Sequence, residues 1–325
     1  MDIQPDLTVW KQYAHTAKIH PAILTYLELH PEYFYRVTQD VDGIQFVTAR
    51  GWEDLSALLV TYEQLGMDVE ESIIGQYLQH PEIAQDFAAY LSLYRKYGDD
   101  YGVQQILQGN PSPSAYARAQ AASFDERLSL VGLLLAGLET QFSAAMEADA
   151  LADDCFAVIK EFKEACQEPQ ADFSLLMEAL CQQHKDHTAQ QKKAQLLTRS
   201  QEQRALRCQN VLEEFCRLLA AEPLETSEQA LKLLRNTFAP IKENRLQQAE
   251  IASHSLEAAF DFLENAFSAG QELLVFVTEL GMGQDSAAFL AQNPCQRYGT
   301  YSESLLLNGR TARILQEIAA DKARG

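Results

Sequence analysis

The sequence predicts an all-α protein with one short β element. Three observations carry that reading. Apolar residues recur at helical spacing along most of the chain. Only 15 glycines and 10 prolines punctuate 325 residues, most of them between the periodic segments. A single run, Ile44–Val47 after the turn-like Asp42-Gly43, has the character of a strand.

Three helical segments near the amino terminus open with the same dipeptide: His20-Pro21, His30-Pro31 and His80-Pro81. Proline suits the first helical position, where its missing N–H costs nothing, and the histidine then falls near the N-cap. From Trp52 the pattern is amphipathic through Leu55, Leu58, Leu59 and Tyr62, with Gly66 as the stop. Ile73, Ile74, Tyr77 and Leu78 form a second stripe, and Ile83, Phe87, Tyr90, Leu91 and Tyr94 a third. Both are core stripes rather than an aromatic binding face. Gly109-Asn110-Pro111-Ser112-Pro113-Ser114 reads as a linker. It is expected to divide a helical domain, residues 1–110, from a larger helical domain, residues 115–325.

In the second half, Phe124–Phe142 is strongly apolar and should be buried. Leu175–Leu219 reads as one long helix or two in line, with apolar ends and a polar middle at Gln182–Arg204. Ser227–Phe267 repeats the design, its polar middle at Lys242–Gln248. Two such helices would pair as a long antiparallel hairpin, and Pro240 should kink or break the second. No fixed-period repeat is visible.

The net charge of −20 and the pI near 4.7 argue against a nucleic-acid partner, which needs a basic face. No eighteen consecutive apolar residues occur, which argues against a bilayer span. The start, MDIQPDLTVWKQ, lacks the basic and apolar regions of a secretory signal. Six cysteines are too few for a disulfide scaffold, so reduced thiols in a cytoplasm are expected.

Candidate chemistry is sparse. Cys181, His184 and His187 share one helical face and suit zinc by ligand type, although a fourth ligand would have to come from elsewhere. Lys185, Lys192, Lys193, Arg199, Arg204 and Arg207 form the one basic stretch, either a solvated face or a docking stripe for an acidic partner. There is no G-x-S-x-G elbow and no G-x-G-x-x-G. The dipeptide Gly-Lys occurs nowhere, so there is no P-loop. An arginine, Arg50, stands alone where the strand-like run meets the next helix. A guanidinium at a helix start can meet a phosphate in bidentate geometry, helped by the positive end of the helix. It can equally pair with Glu53 or Asp54.

Residues 30–66, HPEYFYRVTQDVDGIQFVTARGWEDLSALLVTYEQLG, resemble the lid region of MoxR-type AAA+ ATPases. VEESIIGQYLQHPEIAQDFAAYLSLYRKYGDDYGVQQIL, FDERLSLVGLLLAGL and GQELLVFVTELGMGQDSAAFLAQNPCQRYGTYSESLLL are similar to bacterial members of that family. The likeness covers most of the chain, and its sharp motif is Thr48-Ala49-Arg50-Gly51-Trp52. The resemblance implies an ATP-dependent, chaperone-like remodeller of the cytoplasm. Arg50 would be the sensor-2 arginine that contacts the γ-phosphate of ATP held with Mg on a P-loop core. The resemblance also implies a hexameric ring built mainly by that core, and a protein partner with a von Willebrand A-type domain. This sequence departs from the family in lacking the core. The chain, starting at Met1 just before the lid, is therefore expected not to hydrolyse ATP alone. It is either the C-terminal part of a longer ATPase or a relative that kept its helices as a non-enzymatic scaffold or adaptor for a protein partner.

Overall fold

The computed structural model describes residues 5–40, 43–166, 172–221, 224–268 and 270–305. Among them are thirteen α-helices up to residue 292, a further helical stretch over residues 296–305, one 3-10 turn and one two-stranded antiparallel sheet, so the fold is all-α with one short β element. The chain divides into two compact units, Met1–Phe142 with Ala252–Gly325, and Ser143–Ile251.

The first unit opens with α1 (Leu7–Thr16) and α2 (Pro21–Leu29). Asp6 caps α1, its Oδ1 accepting from the amides of Thr8 at 2.8 Å and Val9 at 3.3 Å. Pro21 takes the first position of α2, and His20 Nδ1 accepts from the Ala22 amide at 3.2 Å. Pro31 opens the 3-10 turn Pro31–Tyr33, and Pro81 opens α5 (Pro81–Tyr101). The three His-Pro pairs are thus separate helix starts.

The strand expected at Ile44–Val47 is the second half of a hairpin. β1 (Arg36–Asp40) pairs with β2 (Gly43–Val47) in the register Arg36↔Val47 to Asp40↔Gly43. Asp42 lies outside the described residues. β2 runs directly into α3 (Ala49–Gln64), which ends at Gly66 with φ +65° and the Met67 amide on the Tyr62 carbonyl at 2.9 Å. The short helices α4 (Glu71–Tyr77), α6 (Val103–Leu107) and α7 (Pro113–Ala121) follow in turn around α5.

The expected boundary at Gly109–Ser114 falls inside this unit rather than between units. The reason is packing after the linker: α8 (Phe124–Ala165) returns to the same core. Leu133 packs on the cluster formed by Tyr26, Trp52, Leu55 and Phe87. A Cβ at Gly137 would collide with Leu107, so α6 lies directly on α8. Leu130, Val131, Leu134, Leu138 and Phe142 are buried as the apolar pattern requires. The unit closes with the end of α11 (Ser227–Phe267), then α12 (Gln271–Met282) and α13 (Gln284–Gln292), which meet at 88°. By length and hydropathy α8 could cross a membrane, but half of its most apolar stretch is buried inside the protein. A core helix passes the same test.

The second unit holds the remainder of α8, α9 (Phe173–Lys193), α10 (Arg199–Ala221) and the start of α11. Residues 175–219 are not one helix or two in line. The chain reverses at Ala194–Thr198, with Gln195 at φ +55°, and α10 folds back on α9. Lys185–Glu213 at 3.0 Å and Lys192–Glu202 at 2.8 Å cross the hairpin. The apolar ends noted in the sequence meet around Phe162, Met177, Leu212, Phe215 and Leu234. Pro240 does not break α11, which runs unbroken for 41 residues. The ring sits on the exposed side, while Leu234, Phe238 and Ile241 hold the helix to this core.

Pro240 removes one helix hydrogen bond, to the Asn236 carbonyl, without filling any interior space. Pro240→Ala should therefore raise the stability of the protein by about 1–3 kcal/mol, read as a higher midpoint in scanning calorimetry.

Candidate functional site

Arg50 lies at the second position of α3, and the four residues around it fix its place. Thr48 is extended, with φ −136° and ψ 160°, and its Oγ1 accepts from the Gly51 amide at 3.3 Å. It stops β2 and starts the helix in one residue. Gly51 faces α4 so closely that a Cβ would lie 2.7 Å from the Tyr77 carbonyl oxygen. Trp52 is fully buried. Its ring sits 5.3 Å from that of Phe87, edge-on, and 5.8 Å from Tyr26, and its Nε1–H donates to the Tyr33 carbonyl at 3.3 Å. On the strand side, the Phe46 amide donates to the Gln79 carbonyl at 2.9 Å, tying β2 to the residue before His80. The backbone under Arg50 is thus pinned on both flanks.

The side chain itself points into solvent, 74% exposed. Asp54, one turn on, takes it in a two-pronged grip, Nε to Oδ2 at 3.0 Å and NH2 to Oδ1 at 2.9 Å. Glu53 lies 3.7 Å from NH1. The Asp54 hydrogen bond, then its charge and that of Glu53, hold the guanidinium above its usual pKa. Tyr13 of α1 donates to Glu53 Oε1 at 2.7 Å, which raises the Tyr13 phenol above its usual range. The arrangement is an exposed guanidinium on a fixed helix start, held by a carboxylate of its own helix. An incoming phosphate would have the Thr48–Gly51 turn and the guanidinium on one side, and would have to displace or share Asp54.

The other residues singled out in the sequence do not converge. Cys181 is buried and faces Cys216, which burial and Cys181 push up to about 12. His184 lies beside Cys208, which raises its pKa above the usual range, and the Cys208 and Cys155 sulfurs lie 3.6 Å apart. Among the described residues no three His, Cys, Asp or Glu side chains form a metal-sized group, so Cys181, His184 and His187 do not make a zinc site. All six cysteines are free thiols. Half of the basic stretch is neutralised within the second unit: Lys185 on Glu213, Lys192 on Glu202 and Arg204 on Asp154 at 3.0 Å. Lys193, Arg199 and Arg207 are exposed. His20, His30 and His80 are dispersed. His20 meets Glu63 at 3.0 Å, His30 stacks on Tyr33 with centroids 5.3 Å apart, and His80 is buried at the start of α5.

A second feature had no counterpart in the sequence reading. A cavity of about 260 Å³ lies within the first unit between α1, α2, α8, α12 and α13. Its titratable residues, His15, Lys18, Glu28, Glu139 and Glu279, come from three separate stretches of the chain. The one local signal is Glu139, a lone acid in the apolar run from Leu128 to Phe142. Comparison of the chain with protein-family models, with curated proteins and with solved structures found no match.

The close approach at Gly51 makes a paired prediction. Gly51→Ala should cost about 1–3 kcal/mol, because the new methyl meets a backbone oxygen. Gly75→Ala, inside α4 with open space around its Cα, should gain about 0.5–1 kcal/mol from helix propensity alone. Urea unfolding followed by tryptophan fluorescence checks both.

Proposed function

We propose that this chain supplies the lid and helical region of a MoxR-type AAA+ ATPase, with Arg50 as the residue that senses the γ-phosphate. The observation that carries the proposal is the setting of Arg50: an exposed, fork-shaped donor on the first turn of a helix whose backbone is locked by Thr48, Gly51 and Trp52. A sensor must report small displacements of a phosphate, so its base has to be rigid while its tip is reachable. The sequence likeness around Thr48–Trp52 supports the same reading. The chain has no P-loop, so ATP and Mg would be held by a core outside this sequence. That core would also form the hexamer. The cytoplasmic location, the remodelling activity and a partner with a von Willebrand A-type domain belong to the proposal.

In this scheme Asp54 is the resting partner of Arg50. ATP would draw the guanidinium from Asp54 to the γ-phosphate, and hydrolysis would return it. The exchange gives the two nucleotide states different contacts with the lid, the requirement for any nucleotide-driven change of shape.

One observation favours a different reading, a non-enzymatic helical scaffold. Both Asp54 oxygens already occupy Arg50, which suffices as a purely structural role. Turnover separates the two. In the assembly with its P-loop core, Arg50→Ala should lower ATP turnover roughly 10–100-fold. Arg50→Lys should recover little of it, because an ammonium cannot form the fork. Asp54→Asn should tighten nucleotide binding by removing the competitor. Unchanged turnover in Arg50→Ala, with partner binding insensitive to nucleotide, would establish the scaffold reading instead.

A further inference from the structure

We propose that the cavity of the first unit binds a small organic cation, an ammonium on an apolar stem, with Glu139 as its counter-ion. The apolar part of the site is furnished by Ile19, Leu24, Val131, Leu135, Val275 and Leu280. A space of about 260 Å³ holds a ring or a short branched chain rather than a few waters.

The polar lining selects the charge. Hydroxyl protons at the wall are already spent on backbone carbonyls: Thr25 on Pro21 at 3.0 Å, Thr140 on Ala136 at 3.1 Å, and Ser286 on Leu280 at 2.7 Å. Their oxygens keep lone pairs and can only accept. The carboxylates at the rim are mostly taken. Glu279 receives Lys11 at 3.0 Å and His15 at 3.1 Å, Glu28 is paired with the same lysine, and Asp285 holds Lys18 at 2.8 Å. Burial alone would raise the Glu279 carboxyl, but His15 and Lys11 outweigh it and hold it below its usual range.

Glu139 differs. It is half-buried on α8, and among the described residues it makes no hydrogen bond and no ion pair. Burial raises its carboxyl, Asp285 adds to that, and Lys18 and His15 only partly offset it. A carboxylate held this way destabilises the folded protein as pH rises through its unfolded pKa, because the folded state binds the proton more tightly. Four carboxylates therefore face Lys11, Lys18 and His15, and the one left over is in the apolar cavity. An ammonium donating to Glu139 and to the accepting hydroxyls, with its stem among Val131, Leu135 and Leu280, satisfies every one of these groups. An anion would meet the surplus negative charge of these carboxylates, while the cationic groups of the wall, Lys18 and His15, already face Asp285 at 2.8 Å and Glu279 at 3.1 Å.

The test uses three probes of one shape, benzylammonium, benzyl alcohol and benzoate, titrated into the intact protein at neutral pH and followed by NMR. Benzylammonium should bind roughly tenfold or more tightly than benzyl alcohol, and benzoate most weakly. Glu139→Gln should erase the preference and leave benzyl alcohol binding unchanged. Its thermal midpoint should equal or exceed that of the unmodified protein. The unmodified protein offers a second reading. Acidification should protonate Glu139, whose pKa is raised, before Glu279, which His15 and Lys11 hold ionised, and so should release benzylammonium and spare benzyl alcohol. No binding of benzylammonium, equal binding of the alcohol or the benzoate, or a preference that survives both Glu139→Gln and acidification would overturn the proposal.

Discussion

The burial of Trp52 is the constraint on which the first unit depends. Its indole lies among Tyr26, Tyr33 and Phe87, with the N–H satisfied by a carbonyl rather than by water. Burying so large a ring at the fourth position of α3 fixes the rotation of that helix about its axis. Gly51 then has to face Tyr77, where no side chain fits, and Arg50 has to face outward. Leu55 and Leu59 continue the same buried stripe. The direction of the arginine follows from an apolar decision made two residues later. That is why the stretch has the order Arg-Gly-Trp and would not tolerate permutation.

Several cations of this acidic chain are each met by two carboxylates. Arg50 has Asp54 and Glu53, Lys11 has Glu28 and Glu279, and Arg245 has Asp149 at 2.6 Å and Asp153 at 3.5 Å. The exposed pairs among these contribute little stability each, whereas Lys11–Glu279 is largely buried. Their value is directional, since they hold long side chains in one place. Glu139, by contrast, lines an apolar cavity and makes no ion pair among the described residues. The cost of keeping it is the physical argument for a ligand that supplies the missing charge.

Much of the fold was legible because the local signals were strong. The His-Pro pairs, Gly66 as a stop and the apolar stripes from Trp52 to Tyr94 each rest on backbone chemistry or period, and each is realised. What was not legible lacked such signals. The turn between α9 and α10 is Ala194–Thr198, without glycine or proline, and is made by Gln195 at positive φ. β1 reads Arg-Val-Thr-Gln-Asp, too polar to announce a strand until β2 is beside it. The division into two units falls inside two long helices, where sequence gives no break. Of the site, the backbone setting of Arg50 was legible as a motif. The grip of Asp54 was open to either outcome, because a fork donor at a helix start serves a carboxylate and a phosphate alike. The cavity could not be read, since its walls come from residues more than two hundred positions apart.

The central proposal, that Arg50 exchanges a carboxylate of its own helix for a phosphate, is tested most directly by a structure of this chain assembled with the P-loop core proposed for it and a non-hydrolysable ATP. The account predicts the Arg50 guanidinium within hydrogen-bonding distance of the γ-phosphate, about 3 Å, with Asp54 released and Trp52 unmoved. Arg50 still clasped by Asp54, with the γ-phosphate served by some other residue, would contradict it.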